Sequence, residues 1–404
     1  MKNYIFLNTS IANIGGAELY ISHKCDHLKE LGYNVYVFTF ERGNVVINNL
    51  KVYEKYVLPE LKILFRRSNA MIRRKVLNVF RNLNLDGETI IESNIDNLNV
   101  WGEYIAKEID AYHICYLLPE NNTAREKERD FYRYKYEQHV LFGITPHSIK
   151  DMMKDGQDYP NSFLPAVGCT ADTIDYDSQY EIKGWQDPDY TILTLGRLNK
   201  PYIPSMLNSV CDFACEHKDK MVNLLIIGGY MSSDIEKKLI KIQNAAHNLK
   251  IYNLGEMSPI PQSLFAIADV AIAVAGCAYV CHGQGLPVIT VDANDYKGIG
   301  LFKQTTINNT FRREECIVEV KDLLADVLVY KTFTKHKTNV PYTSKQIDYS
   351  KHDELLSIPS NIKYFDVSHK ADSIVALMVK IAILLLGYER YFKMIDKFKR
   401  YVKK

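Results

Sequence analysis

One pattern restricts this chain more than any other: short apolar runs alternate with helical periods, and glycine turns join them. Residues 3–8 are apolar, and Asn13-Ile14-Gly15-Gly16-Ala17-Glu18 follows as a glycine turn. Leu19, Ile21, Cys25, Leu28 and Leu31 then recur at helical spacing until Gly32, which reads as a C-terminal cap. Asn34–Thr39 is the next strand. Strand, crossover helix and strand make a βαβ unit, which builds a parallel sheet covered on both faces. Glu88–Glu92, Ala111–Tyr116 and Val140–Thr145 are further strand candidates, so a first domain is expected over residues 1–170.

Residues 171–188 are polar and acidic and read as a linker. A second series then begins. Thr191–Leu195 predicts a strand, Gly196-Arg197-Leu198 a turn, about 203–217 a helix and Val222–Ile227 a strand ending at Gly228-Gly229. A helix over about 233–247, a strand over Lys250–Leu254, a helix over about 261–268 and strands over Val270–Val274 and Pro287–Val291 complete it. The expectation is an α/β chain of two Rossmann-like doubly wound domains facing across a cleft, the second over 189–370, with a helical tail over 371–404. At 404 residues the chain suits two such cores. Ligands of open parallel sheets bind at the carboxyl ends of strands, where these glycine turns lie.

Charge and cysteine content narrow the function. A net charge of +2 excludes polyanion binding by the chain as a whole. Eight scattered Cys include no C-x-x-C pair, so they read as buried thiols rather than zinc ligands. The opening residues are too short and polar for a signal peptide, so the expected location is the cytoplasm. Gly15-Gly16 before a helix suits a phosphate or sugar hydroxyl: glycine admits close approach, and the helix start presents N–H groups and partial positive charge. A plain tight turn is the alternative, since G-x-G-x-x-G is missing. Asp187-Pro188-Asp189 has the form of a metal-binding pair but reads as an exposed turn.

Several segments together resemble the GT-B glycosyltransferases, in particular the retaining family-four enzymes. They are Gly15-Gly16-Ala17-Glu18 with Leu31–Val37, Ile144–Ser148 with Ser162–Gly168, Thr194–Leu198, Leu225–Gly229, Leu254-Gly255-Glu256, Ala268-Asp269-Val270 and Gly285–Ile289, in family order over about residues 1–300. The resemblance implies a nucleotide-diphospho-sugar donor, a saccharide or lipid-linked acceptor, and no metal or cofactor. The candidate donor-binding residues are Gly15, Gly16, Arg197, Lys200 and Gly228, with His282 and Gln284 as the nearest polar groups before the G-x-P-V turn. Arg197 would hold the diphosphate, because a departing phosphate needs a bidentate cation; a surface arginine capping the next helix is the alternative. The catalytic histidine would be His113 or, second, His147, and His113 has a bonded core residue as its alternative. One departure stands out. The family carries a Glu pair before the G-x-P-V turn, and its second member grips the donor ribose. Here Ala275–Gln284 holds no acid, and Val280 takes that place. A non-catalytic subunit binding a partner enzyme, or a nucleotide-sugar epimerase, are therefore the competing readings.

Two basic stretches point to a membrane. Leu61–Leu85 carries Lys62, Arg66, Arg67, Arg73, Arg74, Lys75 and Arg81, with Leu61, Leu64, Phe65, Ile72, Val76, Val79 and Phe80 as an apolar stripe. Tyr388–Lys404 mixes Tyr391, Phe392, Ile395, Phe398, Tyr401 and Val402 with seven Lys or Arg and two acids. Both read either as contacts with an anionic membrane surface or as packed helices with solvated basic faces. The apolar run at 374–386 is too short to span a bilayer. No nucleic-acid motif accompanies the basic residues.

Overall fold

The computed structural model describes the chain except residues 13, 44, 84, 120–121, 175–179, 230, 334–346, 368–372 and 403–404. The chain divides into two units. Unit 1 comprises Met1–Asn13, Tyr20–Val167 and Asp348–Lys404; unit 2 comprises Ile14–Leu19 and Gly168–Ile347.

Unit 1 is a six-stranded sheet. Its strands are β1 (Lys2–Asn8), β2 (Tyr33–Thr39), β3 (Glu54–Val57), β4 (Glu88–Ser93), β5 (Tyr112–Leu117) and β6 (Leu141–Gly143), in the order β3-β2-β1-β4-β5-β6 and all parallel. β1 is central and buried from Asn3 onward, as a strand covered on both faces must be. The crossovers carry α1 (Gly16–Glu30), α2 (Ala70–Arg81), α3 (Asp96–Ile109), α4 (Arg129–Glu137) and α5 (Ser148–Met153). α1 ends where expected: Gly32 takes φ +83°, which only glycine adopts without strain.

The stripe on 61–85 is core. Asn69 caps α2 by accepting from the Ile72 N–H at 3.1 Å, and Leu61, Phe65, Ile72, Val76 and Phe80 are buried in the unit 1 core. Protein, not lipid, is therefore the partner of this apolar face. Arg67, Arg74, Lys75 and Arg81 remain on the surface.

Unit 2 repeats the theme. A short parallel pair joins β7 (Thr173–Ile174) to β11 (Ile260–Pro261). The main sheet holds β8 (Tyr190–Leu195), β9 (Val222–Ile227), β10 (Leu249–Gly255), β12 (Val270–Ala273), β13 (Val288–Val291) and β14 (Gly298–Leu301), in the order β10-β9-β8-β12-β13-β14. All pairs are parallel except β13·β14, which is antiparallel. Around it lie α6 (Ile203–Glu216), α7 (Ser233–Ala245), α8 (Gln262–Ile267), α9 (Gly276–Gly283) and α10 (Val320–Leu328).

The C-terminal stretch departs from the expected partition. The boundary anticipated at 370 lies near 348, because α11 (Ser350–Asp353) and α12 (Ser373–Val402) belong to unit 1. Lys24 anchors the return from within α1. Its Nζ donates to Glu92 Oε2 at 2.6 Å and lies 3.5 Å from His352 Nδ1, while His352 Nε2 sits 3.0 Å from the Pro165 carbonyl. His27 stacks on Tyr349 at 4.3 Å and lies 2.8 Å from Asp353. Further on, Val379, Ile383 and Tyr391 enter the core, and Ala376 is buried. α12 is broken at Gly387, whose φ of 73° and ψ of 162° are not helical. The predicted tail contacts of Phe398, Tyr401 and Val402 fall outside the described side chains.

Candidate donor site

β8 ends at Gly196, and the chain turns at φ +139° into Arg197. The neighbouring strand ends at Gly228, where a Cβ would collide with the Gly196 carbonyl oxygen. Gly228 is thus fixed by close approach of two strand ends rather than by a ligand. The Gly196 N–H donates to the Ile227 carbonyl at 2.9 Å, and the Leu198 N–H to the Gly229 carbonyl at 2.8 Å. These bonds hold Arg197, half-buried, at the carboxyl edge of the sheet.

The start of α1 belongs to the same site. A Cβ on Gly15 would lie 3.6 Å from Arg197 Cζ and 2.6 Å from Glu18 Oε2. A Cβ on Gly16 would lie 3.4 Å from the Cys169 carbonyl, and one on Gly276, at the start of α9, 3.3 Å from that oxygen. Two helix N-termini therefore meet at one carbonyl, with Arg197 alongside. The first N–H groups of a helix have no intrahelical partner, and each helix start carries partial positive charge.

The electrostatics agree. Burial pushes the Cys277 thiol up to about 11, against the pull of the Lys200 and Arg197 charges. Both cations thus act on the first turn of α9. Burial also raises Glu18, which feels Arg197 pulling down and Glu256 pushing up. Glu256 sits on Gly229, where a Cβ would collide with its Oε1. α9 itself begins from Ala275, held at φ 53° and ψ −133°. A non-glycine residue pays strain there. Asn309 holds it: its carbonyl accepts from the Ala275 N–H at 3.0 Å, and its side-chain amide donates to the Ala275 carbonyl at 3.3 Å.

Of the residues singled out in the sequence, Gly15, Gly16, Arg197, Lys200 and Gly228 come together in unit 2. Two others, also in unit 2, have packing contacts of their own. Gln284 is buried and accepts from Gln262 Nε2 at 2.8 Å, so its carbonyl oxygen is engaged in tying α8 to the turn after α9. His282 is half-buried, with its ring 5.8 Å from Phe302 in edge-to-face contact. Val280 is buried as well.

The histidines belong to unit 1. His113 lies on β5 and is 1 % exposed. Its Nδ1 is 2.8 Å from Glu103 Oε2, its Nε2 is 2.8 Å from Ser93 Oγ, and Lys135 donates to the same Glu103 oxygen at 2.9 Å. Burial holds His113 down at about 4, helped by the Lys135 charge. Burial works against the Glu103 carboxylate, but Lys135 and His113 bring it to about 2. Both ring nitrogens are engaged in a sealed core network, the arrangement expected of a bonded core histidine. His147 is exposed at the start of α5.

Sequence reasoning missed Glu18, Cys169, Glu256, Ala275 and Asn309 as site residues. Glu18 lay inside a quoted motif, yet its pairing with a residue so far along the chain is a product of the fold. The strain at Ala275 has no sequence signal, because alanine advertises no positive φ.

No protein-family profile and no curated protein matches the chain. Solved structures do. A glycosyltransferase from Rickettsia africae is 14% identical with a TM-score of 0.56, covering 82% of this chain and 89% of that one. HepE from Anabaena, solved in complex with UDP-glucose, is 14% identical with a TM-score of 0.51, covering 82% and 89%. WaaG, a glycosyltransferase involved in lipopolysaccharide biosynthesis, is 15% identical with a TM-score of 0.50, covering 81% and 91%. Identity this low speaks to fold alone, and that fold, two Rossmann-like domains in one chain, is the GT-B fold of these glycosyltransferases.

Proposed function

We propose that this chain is a glycosyltransferase of hexosyltransferase type that moves a sugar from a nucleotide-diphospho-sugar to a saccharide or lipid-linked saccharide, at the cytoplasmic face of a membrane, in the assembly of cell-surface polysaccharide. One observation carries the reading: the N-termini of α1 and α9 meet at the Cys169 carbonyl beside Arg197. A sugar leaving its nucleotide builds negative charge on the diphosphate. Two helix starts and a guanidinium stabilise that charge without reorganising, which lowers the barrier to departure. Lys200, exposed on the same turn, adds a second cation. With no carboxylate on α9, Glu18 and Glu256 are the acids beside Arg197 that would accept hydroxyl hydrogens of the donor.

UDP-linked sugars are the first donors to test, because HepE was solved with UDP-glucose. In a thermal-shift screen of UDP-, GDP- and CDP-sugars, a binder raises the melting temperature by mass action. No shift with any of them at millimolar concentration would remove the donor reading. A second reading keeps the nucleotide and drops the chemistry: a non-catalytic subunit. The sealed His113 network and the buried Val280 favour it. Donor binding without any transfer or hydrolysis would decide for the subunit.

A further inference from the structure

The first half of α12 is apolar on both sides. Its inner side, Ala376, Val379 and Ile383, is buried, the last two in the unit 1 core. Its outer side carries Ile374, Leu377, Met378, Ile381, Leu384 and Leu385, exposed by 73, 55, 66, 48, 65 and 78%. At helical spacing these six fall within an arc of about 120°. Lys380 is the lone charge between Ser373 and Leu386. Single exposed apolar residues need no explanation, but six on one helix face mark an interaction surface.

Length and charge identify the occupant. The fourteen residues Ser373–Leu386 are about 21 Å long, short of the roughly 30 Å hydrocarbon core, so the helix cannot cross a bilayer. Among the described residues no helix is long and apolar enough to do so. Beyond Gly387 the surface turns basic. Arg390, Lys393 and Lys397 are exposed on the helix. Lys62 and Lys75 lie 5.2 and 5.1 Å over the rings of Phe392 and Tyr388, Arg67 acts on Tyr391, and Arg42 acts on Glu389. Among the described side chains three acids lie here, Glu60 with Lys75, Glu41 with Lys62 and Glu389 with Lys393, so the seven cations keep a surplus of four (7 − 3). A second copy laid on this face would bring its own basic end and Lys380, and would meet no acidic patch among the described residues. A monolayer of anionic lipid offers hydrocarbon to the strip and negative headgroups to the bases.

We propose that the outer face of α12 before Gly387 inserts into an anionic lipid monolayer, with the basic surface beyond Gly387 on the headgroups. This rests on the membrane part of the reading above and assigns it a surface. The test is co-sedimentation of the full chain with vesicles of equal parts phosphatidylcholine and phosphatidylglycerol. Wild type should bind them, release as salt rises, and ignore phosphatidylcholine alone. Replacing Leu377, Met378, Leu384 and Leu385 together by Ser should weaken partitioning roughly tenfold or more, since each loses apolar area to bury. Melting temperature and nucleotide binding should stay unchanged. Leu385→Trp should shift its emission to the blue on these vesicles and be quenched by brominated acyl chains. Three results overturn the proposal. If wild type binds and the quadruple variant binds equally, the membrane reading survives but its surface lies elsewhere. If wild type ignores anionic vesicles, both fall. A lipid-free dimer that the quadruple variant converts to monomer, with vesicle binding unaltered, makes the strip a seat for a second copy.

Discussion

Arg197 and Gly228 stand on adjacent strand ends, yet they should fail in different ways. Arg197→Ala removes a charged hydrogen-bond donor from a half-buried position, so nucleoside diphosphate affinity should fall by about 1.5–3 kcal/mol, read by calorimetric titration, with the melting temperature held. Gly228→Ala drives a Cβ into the Gly196 carbonyl, backbone against backbone, so unit 2 should lose stability before any ligand is considered. A Gly228→Ala protein that melts like wild type would contradict this packing. His113 and Glu103 make a pH prediction. An unfolded histidine takes its proton near 6.5, whereas folded His113 takes it only near 4. Between those values the unfolded chain binds more protons, so stability is full above about 6.5 and falls as pH drops toward 4. Glu103, ionised in the fold down to about 2, adds a loss of the same sign below the ordinary carboxylate range. His352, held near 4 by burial and Lys24, acts like His113. Urea midpoints should therefore decline steadily from pH 7 to 4, and a flat profile would mean that these imidazoles charge in place. At this scale the sequence was legible where chemistry is local. Glycine at a strand end and arginine after it could be read directly. The partners of His113 could not, because Glu103, Ser93 and Lys135 reach it from three other elements.

Among the elements, those whose hydrophobic period matched their burial were easy to read. The strands Asn3–Asn8, Val222–Ile227 and Val270–Ala273 are buried nearly throughout, and continuous apolar runs announce them. β3 went unread because it is an edge strand of only Glu54–Val57 with no apolar run. α9 went unread because Gly276, Cys277 and Gly283 are poor helix formers, and its geometry comes from Ala275 and Asn309. α2 was legible as an amphipathic helix but not in its partner, since a stripe of Leu, Ile, Val and Phe suits lipid and protein equally. Ile72→Ala should settle that difference. Ile72 is 1 % exposed, so truncation should cost about 2–5 kcal/mol in chemical denaturation. A helix whose apolar face served only lipid would show no such cost in water.

For the whole molecule, two Rossmann-like sheets were legible because strand and helix alternate twice, and sequence periodicity records that alternation directly. What it does not record is that the end of the chain goes back to unit 1. Contacts such as His352 with Lys24 join residues far apart in sequence, and nothing in the local pattern of 348–367 names α1 as their partner. Deleting residues 348–404 should therefore damage the N-terminal half of the chain. Val367, Val379, Ile383 and Tyr391 leave its core, and the buried Lys24–Glu92 pair loses His352. Scanning calorimetry should show the unit 1 transition lowered or lost while the unit 2 transition persists; equal lowering of both would mean that the tail supports them alike. The same return imposes an order of completion during synthesis. Unit 1 begins first but cannot be closed until its last segment is made, after the 180 residues from Gly168 to Ile347 have been added (347 − 167). At about 5–20 residues per second that interval is on the order of 10–40 s. Throughout it the unit 1 core lacks Val367, Val379, Ile383 and Tyr391, while the intervening unit, nearly continuous in sequence, emerges complete. The half of the protein translated first is thus the half finished last, and in that interval it depends on whatever in the cell shields exposed apolar surface.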